Sequence, residues 1–357
     1  MTYTTAPSKP SRHPRLHTAT ATLLVLLAAS CDTEPTAQPA SVALSQAPPK
    51  AEPTAEAKPP EVPAPDLKEL HKGAGADATA LQRGHYLTSA VVDCVHCHTK
   101  RDHNNYTTKL GPEYAGGEVF GAEWHMPGVL VTPNLTPHEE TGLGSWSDEE
   151  IKRAIRVGIN KAGERMFPLM PSHYLQVMGD RDLEGIIALL RSLPPTPMAS
   201  KERTKLAIPR DALPKLPPVD KPVPEIDGSN PVKRGEYLAR IANCRTCHSP
   251  TQKGQEIEER FLAGGVYFRG PFGEFATPNI TPDVKTGIGG WSDEEIKHVL
   301  TTGNRKSGVP VKFQIMPWWL YDKLTKDDLN AIVSYLRSLK PVTNDILKKE
   351  NQFPLGG

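Results

Sequence analysis

Two segments of the chain carry a clear helical period. In "DLEGIIALLRSL" (182–193) and "DDLNAIVSYLRSL" (327–339), apolar residues recur at the i, i+3, i+4 and i+7 spacing that places them on one face of a helix. These apolar positions are Leu183, Ile186, Ile187 and Leu190 in the first segment and Leu329, Ile332, Val333 and Leu336 in the second. The pattern predicts two long helices, each with one face packed against a core.

Polar residues mark the starts of two further helices. Ser147 is followed three residues later by Glu150, and Ser292 is followed in the same way by Glu295. Each pair matches the capping-box pattern, in which the first side chain binds a backbone N–H inside the helix and the second binds back. We therefore expect one middle helix in each half of the chain.

Two long stretches, 99–145 and 249–290, lack the alternation that indicates strands. Loops of this length are uncommon in a compact domain unless they enclose something. Apolar residues make up only 38% of the chain, so each folded part has a small core. Small cores often need a disulfide, a metal or a cofactor for stability.

The sequence contains an internal repeat. Four segments, at 83–98, 132–137, 141–152 and 169–171, recur in the same order and at nearly the same spacing as 234–248, 277–282, 286–297 and 315–317. The repeat predicts two homologous domains, 67–200 and 230–345. The proline-rich segment 201–229 is then an extended linker, and 346–357 is a tail.

Both repeats carry a glycine inside the predicted helix that precedes the cysteines, Gly84 in the first and Gly235 in the second. A glycine in a helix interior costs about 1 kcal/mol relative to alanine. A tolerated surface glycine is one interpretation. We favour a close crossing with the last helix of the same repeat, because both repeats carry the glycine.

The start of the chain resembles an export signal. A basic lead precedes an apolar run from about residue 19 to 29, which is short for a membrane span. Small residues directly before Cys31 resemble a bacterial lipoprotein signal, in which 1–30 is removed and the cysteine is lipidated. An uncleaved anchor, or an ordinary signal with an incidental cysteine, is the alternative. Residues 31–66 are rich in alanine and proline and predict a disordered tether.

The other four cysteines fall into two identical C-x-x-C-H frames. The frames consist of Cys94, Cys97 and His98 in the first repeat and Cys244, Cys247 and His248 in the second. Such a frame suits two thioether bonds to haem vinyl groups and a histidine ligand under the iron. A structural zinc needs four ligands in one closed site, and a thioredoxin-like dithiol needs a βαβ setting. A disulfide would not require the histidines. The frames therefore predict two covalently bound haem c groups.

Each haem iron also needs a sixth ligand or an open position. After residue 201 the only methionine is Met316, and the only histidine besides His248 is His298, which we expect to face water. Met316 is therefore the predicted axial ligand. Alignment with Met316 selects Met170 in the first repeat, where the competing residues are Met126, Met166, Met178 and His125. Methionine opposite histidine suits an electron-transfer haem of raised potential.

Several other residues of the repeats have open interpretations. We expect His96, between the cysteines, on the surface, because the frame points it outward. Trp146 and Trp291 suit either haem packing or a plain core. The two TPN segments, 132–134 and 277–279, either hold a loop against the haem edge or make a turn, and the turn is favoured.

With these residues placed, 83–193 and 234–339 resemble the multi-haem cytochrome c subunits of bacterial membrane-bound alcohol, aldehyde and gluconate dehydrogenases. The cysteine frame, TPN loop, tryptophan with acidic helix start, and Met-Pro all recur in order. The resemblance implies an all-α fold of two tandem class I cytochrome c domains, each a few helices around a covalent haem. It also implies Met170 and Met316 as axial ligands. Those subunits typically carry three haem domains, and this chain has two.

The predicted function is electron transfer and not catalysis, because no acid–base or nucleophile constellation is present. We expect a dihaem cytochrome at the periplasmic side of a bacterial membrane, lipid-anchored at Cys31. It would pass electrons from a dehydrogenase toward quinone or a terminal oxidase. A dihaem peroxidase is the alternative, and a haem-based sensor is a third reading. The net charge of +1 does not favour a nucleic-acid partner.

Overall fold

The computed structural model describes five ranges of the chain, which belong to one compact unit: 78–102, 105–198, 200–270, 273–311 and 316–354. The predicted signal 1–30, Cys31 and the tether 31–66 lie outside the described residues. Within the described ranges, no helix is both long enough and apolar enough to cross a membrane.

Helices form the frame of both repeats. In the first repeat they are α1 (Ala80–Tyr86), α2 (Cys94–Cys97), α3 (Asp148–Val157), α4 (Ser172–Leu175) and α5 (Asp180–Ser192). In the second they are α6 (Pro231–Ile241), α7 (Cys244–His248), α8 (Asp293–Thr302), α9 (Trp318–Tyr321) and α10 (Lys326–Ser338). A π-helical turn, Leu87–Val91, continues α1. The repeat in the sequence is therefore also a repeat of elements.

The middle helices α3 and α8 begin at the predicted capping boxes. The Ser147 hydroxyl accepts from the Glu150 N–H, and the Glu150 carboxylate accepts from the Ser147 N–H. The same two bonds form at the start of α8. Both helices end at a glycine in the left-handed conformation, Gly158 with φ 68° and Gly303 with φ 70°. Local sequence thus sets both ends of these helices.

The first and last helices of each repeat cross at the predicted glycine. A Cβ on Gly84 would lie 2.0 Å from the carbonyl oxygen of Gly185 in α5. A Cβ on Gly235 would lie 1.9 Å from the carbonyl oxygen of Ala331 in α10. These distances exclude any side chain, so the predicted close crossing is present in both repeats.

The all-α expectation is incomplete, because short strands occur in the stretches 99–145 and 249–290 and beyond. They are β1 (Arg101–Asp102), β2 (Asn105–Lys109), β3 (Val119–Phe120), β4 (Gly128–Val131), β5 (Lys205–Leu206), β6 (Thr251–Gln252), β7 (Gln255–Glu256), β8 (Val266–Gly270), β9 (Gly273–Ala276) and β10 (Phe353–Pro354). Strands of two to five residues have too few positions to show an alternation, so the sequence pattern missed them.

The strands pair in four small sheets. β1 pairs with β2, and β6 with β7, as antiparallel pairs that follow the two cysteine turns. The other sheets have the orders β3-β4-β5 and β10-β8-β9. The pairing is antiparallel except between β10 and β8, which are parallel.

The segments that follow the last helix of each repeat pack back onto that repeat. β5, within the predicted linker 201–229, pairs with β4, and Leu213 further along is buried. In the second repeat β10 pairs with β8, and the buried Asn344 donates to the Ala263 carbonyl at 2.9 Å. The expectation of an extended linker is therefore wrong for the part that includes β5 and Leu213, because it has apolar surface to bury.

Ion pairs, buried in the first repeat and partly buried in the second, join the first and last helix of each repeat. Arg83 binds both oxygens of Asp182 at 2.6 and 2.8 Å, and Arg234 binds both oxygens of Asp328 at 2.8 and 2.9 Å. Burial disfavours the Asp182 carboxylate, but the hydrogen bonds and charge of Arg83 outweigh it, and the pKa of Asp182 lies below its ordinary value. The fork geometry fixes each crossing.

Two tyrosines join the repeats to each other. The Tyr86 hydroxyl of the first repeat donates to Asp328 of the second at 2.7 Å. The Tyr237 hydroxyl of the second repeat donates to Asp182 of the first at 2.6 Å. Because these four residues occupy equivalent positions, the contact is reciprocal, as in an isologous dimer interface.

Candidate functional site

A cavity of about 1250 Å³ runs between the two repeats, with walls that are mainly apolar. All eight side chains predicted to bind haem line it: Cys94, Cys97, His98, Met170, Cys244, Cys247, His248 and Met316. Trp146 and Trp291 line it as well and also pack against the hydrophobic core, so the position of each is compatible with both interpretations. Within the described residues, no group of three or more His, Cys, Asp or Glu is arranged to hold a metal ion.

The cysteines lie on one-turn helices that begin in the same unusual way. Asp93, before Cys94, has φ 63°, and Asn243, before Cys244, has φ 61°. Asp and Asn tolerate this left-handed conformation better than other side chains do. The resulting sharp bend separates each cysteine turn from the helix before it.

The side chains of all four cysteines line the cavity. Cys97 is exposed, and the space that it faces is the cavity. Burial raises the pKa of Cys94 and of Cys244 to about 12, and that of Cys247 to about 11. The thiols are therefore neutral at physiological pH, which suits an apolar binding site.

Both frame histidines are held by a backbone carbonyl. His98 Nδ1 lies 2.8 Å from the Pro133 carbonyl oxygen, and His248 Nδ1 lies 2.9 Å from that of Pro278. A carbonyl only accepts, so Nδ1 carries the proton and Nε2 keeps its lone pair in the neutral ring. Burial lowers the pKa of both histidines. A neutral imidazole with a free Nε2 is what a haem iron needs, so these residues fit the group.

The TPN segments hold the carbonyls that bind these histidines. The Asn134 side chain donates to the Thr196 carbonyl at 2.7 Å and accepts from the Thr136 N–H at 2.9 Å. Asn279 makes the equivalent two bonds at the same distances in the second repeat. Both segments are irregular backbone on the cavity wall, which supports the interpretation that they hold a loop there and not the favoured turn. They also anchor the histidine and tie it to the chain after the last helix.

The motif that ends each last helix contains a site-supporting arginine that the sequence reasoning missed. Arg191 donates to the carbonyls of Leu143 at 2.8 Å and Trp146 at 2.5 Å. Arg337 makes the equivalent bonds beside Trp291. Each arginine therefore fixes the turn that presents a tryptophan to the cavity. The arginine occurs in both repeats, in "LLRSL" and "YLRSL", and this recurrence could have indicated its structural role.

The methionines separate into those that reach the cavity and those that do not. Met170 and Met316 line it and share a local turn, in which the N–H two residues later binds the methionine carbonyl at 2.8 Å. Met166 also lines the cavity, whereas Met178 is fully buried in the core and Met126 lies outside the cavity lining. Met166 and Met170 are therefore the candidate axial ligands of the first repeat that reach the cavity. Alignment with Met316 favours Met170.

The expectation of a surface position for His96 is wrong. Its exposed fraction is 9%, and its Nδ1 is hydrogen-bonded to the Asp93 carboxylate. Its Nε2 accepts from the indole N–H of Trp319, in the second repeat, at 2.5 Å. The partner is more than 200 residues away in the chain, so no local pattern could have predicted the contact.

Comparisons with known proteins agree with this geometry. Residues 232–340 match the family described as cytochrome c. The cytochrome c subunit of alcohol dehydrogenase (quinone) from Gluconacetobacter polyoxogenes is 31% identical over 285 residues, which cover 75% of this chain and 57% of that subunit. The fructose dehydrogenase cytochrome subunit of Gluconobacter japonicus is 30% identical over 281 residues, 74% of this chain and 54% of the relative.

A third relative is shorter. The dihaem c-type cytochrome of Cereibacter sphaeroides is 28% identical over 218 residues, 59% of this chain and 69% of the relative. This chain spans little more than half the length of the two dehydrogenase subunits. Residues 232–340 therefore form a domain of the cytochrome c family, and the chain is similar over about three quarters of its length to the cytochrome c subunits of bacterial dehydrogenases.

Proposed function

We propose that this chain is a dihaem c-type cytochrome that transfers electrons. The observation that carries the proposal is the pair of C-x-x-C-H turns on one apolar cavity, each with its histidine held by a proline carbonyl. When bound, the haem iron supplies one-electron chemistry between its ferrous and ferric states. The similarity to a dihaem cytochrome supports a haem in each repeat.

Each repeat is a class I cytochrome c domain in this proposal, with boundaries near 67–200 and 230–345. The family match covers the second repeat. The same helices in the same order, the same glycine crossing and the same capping boxes support an equivalent fold for the first.

Three types of side chain would hold the two haems in this proposal. Cys94 and Cys97, and the equivalent cysteines of the second repeat, would attach them by thioethers. His98 and His248 would hold the iron through Nε2, and Met170 and Met316 would each supply a thioether ligand. A thioether ligand favours the reduced iron and so raises the potential. The apolar walls exclude water and keep the redox-active groups in a low dielectric.

The partners follow from the names of the relatives. Two of these are cytochrome subunits of an alcohol and a fructose dehydrogenase. We propose a dehydrogenase as electron donor and quinone or a terminal oxidase as acceptor. The site of action is the periplasmic membrane surface, with a lipid anchor at Cys31. The relatives reported above are not peroxidases, and we do not retain that alternative.

A haem count tests the proposal. The mature protein, produced in a host competent for cytochrome maturation, is expected to carry two haems per chain by pyridine haemochrome, stable in a denaturing gel. Replacing Cys94 and Cys97 by alanine should leave one haem, and replacing Cys244 and Cys247 should also leave one. A colourless protein, or one that holds zinc, would contradict the proposal.

A further inference from the structure

We propose that the first repeat positions the axial methionine of the second, through a hydrogen bond from Trp319 to His96. His96 lies inside the first haem-attachment frame, and Trp319 lies three residues after Met316. The inference rests on the proposed function, because it takes Met316 as an iron ligand. It makes His96 and Trp319 positioning residues for a haem to which neither is a ligand.

The hydrogen bonds define the state of His96. Asp93 holds Nδ1, and a carboxylate accepts, so Nδ1 carries the ring proton. Nε2 is then the acceptor for the indole N–H of Trp319 at 2.5 Å. The two rings meet edge to face, with centroids 5.2 Å apart. The partly buried indole N–H of Trp319 is therefore satisfied by the other repeat.

The helix that carries Trp319 depends on such contacts. α9 has four residues, which is too short to be stable by itself. Trp318 packs on its own repeat, because a Cβ on Gly303 would lie 2.5 Å from the Trp318 indole nitrogen. Trp319 is bound by the first repeat. The Trp318 N–H binds the Met316 carbonyl at 2.8 Å, so the position of α9 is transmitted directly to the methionine.

The first repeat offers a matched comparison. His173 occupies the position of Trp319, and Thr246 occupies that of His96. Thr246 donates to Asn243 at 2.5 Å, and the His173 ring contacts Tyr174. In the part of the chain that the structure describes, no hydrogen bond joins His173 to Thr246. The positioning contact therefore acts in one direction, from the first repeat to the second haem.

The test measures how firmly Met316 holds its iron. In a Met170→Ala background, the remaining methionine-to-iron charge-transfer band belongs to Met316. Imidazole is titrated into the oxidised dihaem protein, and the concentration that halves this band is recorded. We expect Trp319→Phe and His96→Ala each to lower that concentration about fivefold, the factor for one net hydrogen bond of about 1 kcal/mol.

Three further variants separate positioning from general destabilisation. His96→Gln keeps an acceptor near the indole and should restore much of the resistance to imidazole. The double variant Trp319→Phe with His96→Ala should be no weaker than either single variant, because both remove the same bond. His173→Phe, the matched control, should leave the half-point unchanged.

The outcomes are distinguishable. An unchanged half-point in Trp319→Phe and His96→Ala, with two haems still attached, would overturn the positioning role and leave the proposed function intact. The same would follow if His173→Phe lowered the half-point equally. Should Trp319→Phe fail to retain haem, His96→Ala decides. Loss of the band in the Met170→Ala background itself would contradict Met316 as the ligand.

Discussion

Two proline carbonyls set the chemistry of the frame histidines at the level of single residues. The carbonyls of Pro133 and Pro278 fix the tautomer of the frame histidines without a charged partner, so each ring stays neutral. A carboxylate in that position would make the imidazole more basic. In the proposed function, this neutral arrangement would suit a haem iron that also holds a thioether ligand.

Met316→Ala tests the ligand assignment. The haem stays attached through its cysteines, but the charge-transfer band of the second haem is lost and its potential falls. We expect a fall on the order of 0.1 V, a fraction of the range of about 0.8 V over which axial ligands set haem potentials. A spectroelectrochemical titration measures both effects. Met178→Leu, in the buried core, is the control that should change neither. An unaltered spectrum in Met316→Ala would refute the assignment.

The close crossing of the first and last helix shapes each repeat at the level of elements. Glycine at the crossing lets two backbones approach within contact distance, and the Arg–Asp pair beside it holds the register. The cost of a mid-helix glycine, about 1 kcal/mol, is offset by this packing. The crossing places the cysteine turn and the last helix on the same cavity.

Gly235→Ala is expected to destabilise the protein by up to about 2 kcal/mol. Alanine favours the helix by about 1 kcal/mol, but overpacking costs about 1–3 kcal/mol, and here the new Cβ meets a backbone oxygen that cannot move aside. Equilibrium denaturation of the holoprotein gives the change. Gly228→Ala, at an open loop position, should be neutral or slightly stabilising. Equal effects from the two substitutions would show that the crossing does not limit side-chain size.

The reciprocal tyrosine–aspartate contacts make the two repeats one unit at the level of the whole molecule. Tyr86 and Tyr237 each insert a hydroxyl into the Arg–Asp pair of the other repeat. Both bonds are buried and link the first helix of one repeat to the last helix of the other, so they fix the two repeats relative to each other. In the proposed function, a fixed distance between the two haems would favour electron transfer within the chain.

The loss of folding stability caused by Tyr237→Phe is expected to depend on pH. The hydroxyl lowers the pKa of Asp182, so its removal raises that pKa toward the ordinary value. A depressed carboxyl pKa stabilises the fold above the unfolded-state pKa, and this contribution is lost as the pH falls through the folded-state value. The variant should therefore be less stable by about 1.5–3 kcal/mol at neutral pH. The difference should shrink below about pH 4.

Denaturant unfolding at several pH values checks this expectation. The matched control is Tyr335→Phe, since the Tyr335 hydroxyl makes no hydrogen bond to another described residue. This control should lose little folding stability, and the loss should be the same at acid and at neutral pH. A loss in Tyr237→Phe that persisted undiminished in acid would mean that Asp182 does not carry the effect.

The sequence by itself determined the features that depend on neighbours in the chain. The capping boxes, the amphipathic last helices and the two C-x-x-C-H frames are local patterns whose geometry follows from helix periodicity. The internal repeat allowed further predictions. A glycine or a methionine that recurs at the same position in both repeats indicates a structural role, which a single occurrence would not. The Gly84 and Gly235 crossings were predicted in this way, and so was the alignment of Met170 with Met316.

Only the tertiary structure decided the contacts that join distant residues without a period. The His96–Trp319 bond and the exchange between tyrosines and aspartates cross from one repeat to the other. The return of β5 and β10 over their own repeats depends on two-residue strands. The physical reason is that such contacts form where packing brings surfaces together, and their free energy comes from burial and hydrogen bonds that leave no trace in sequence spacing.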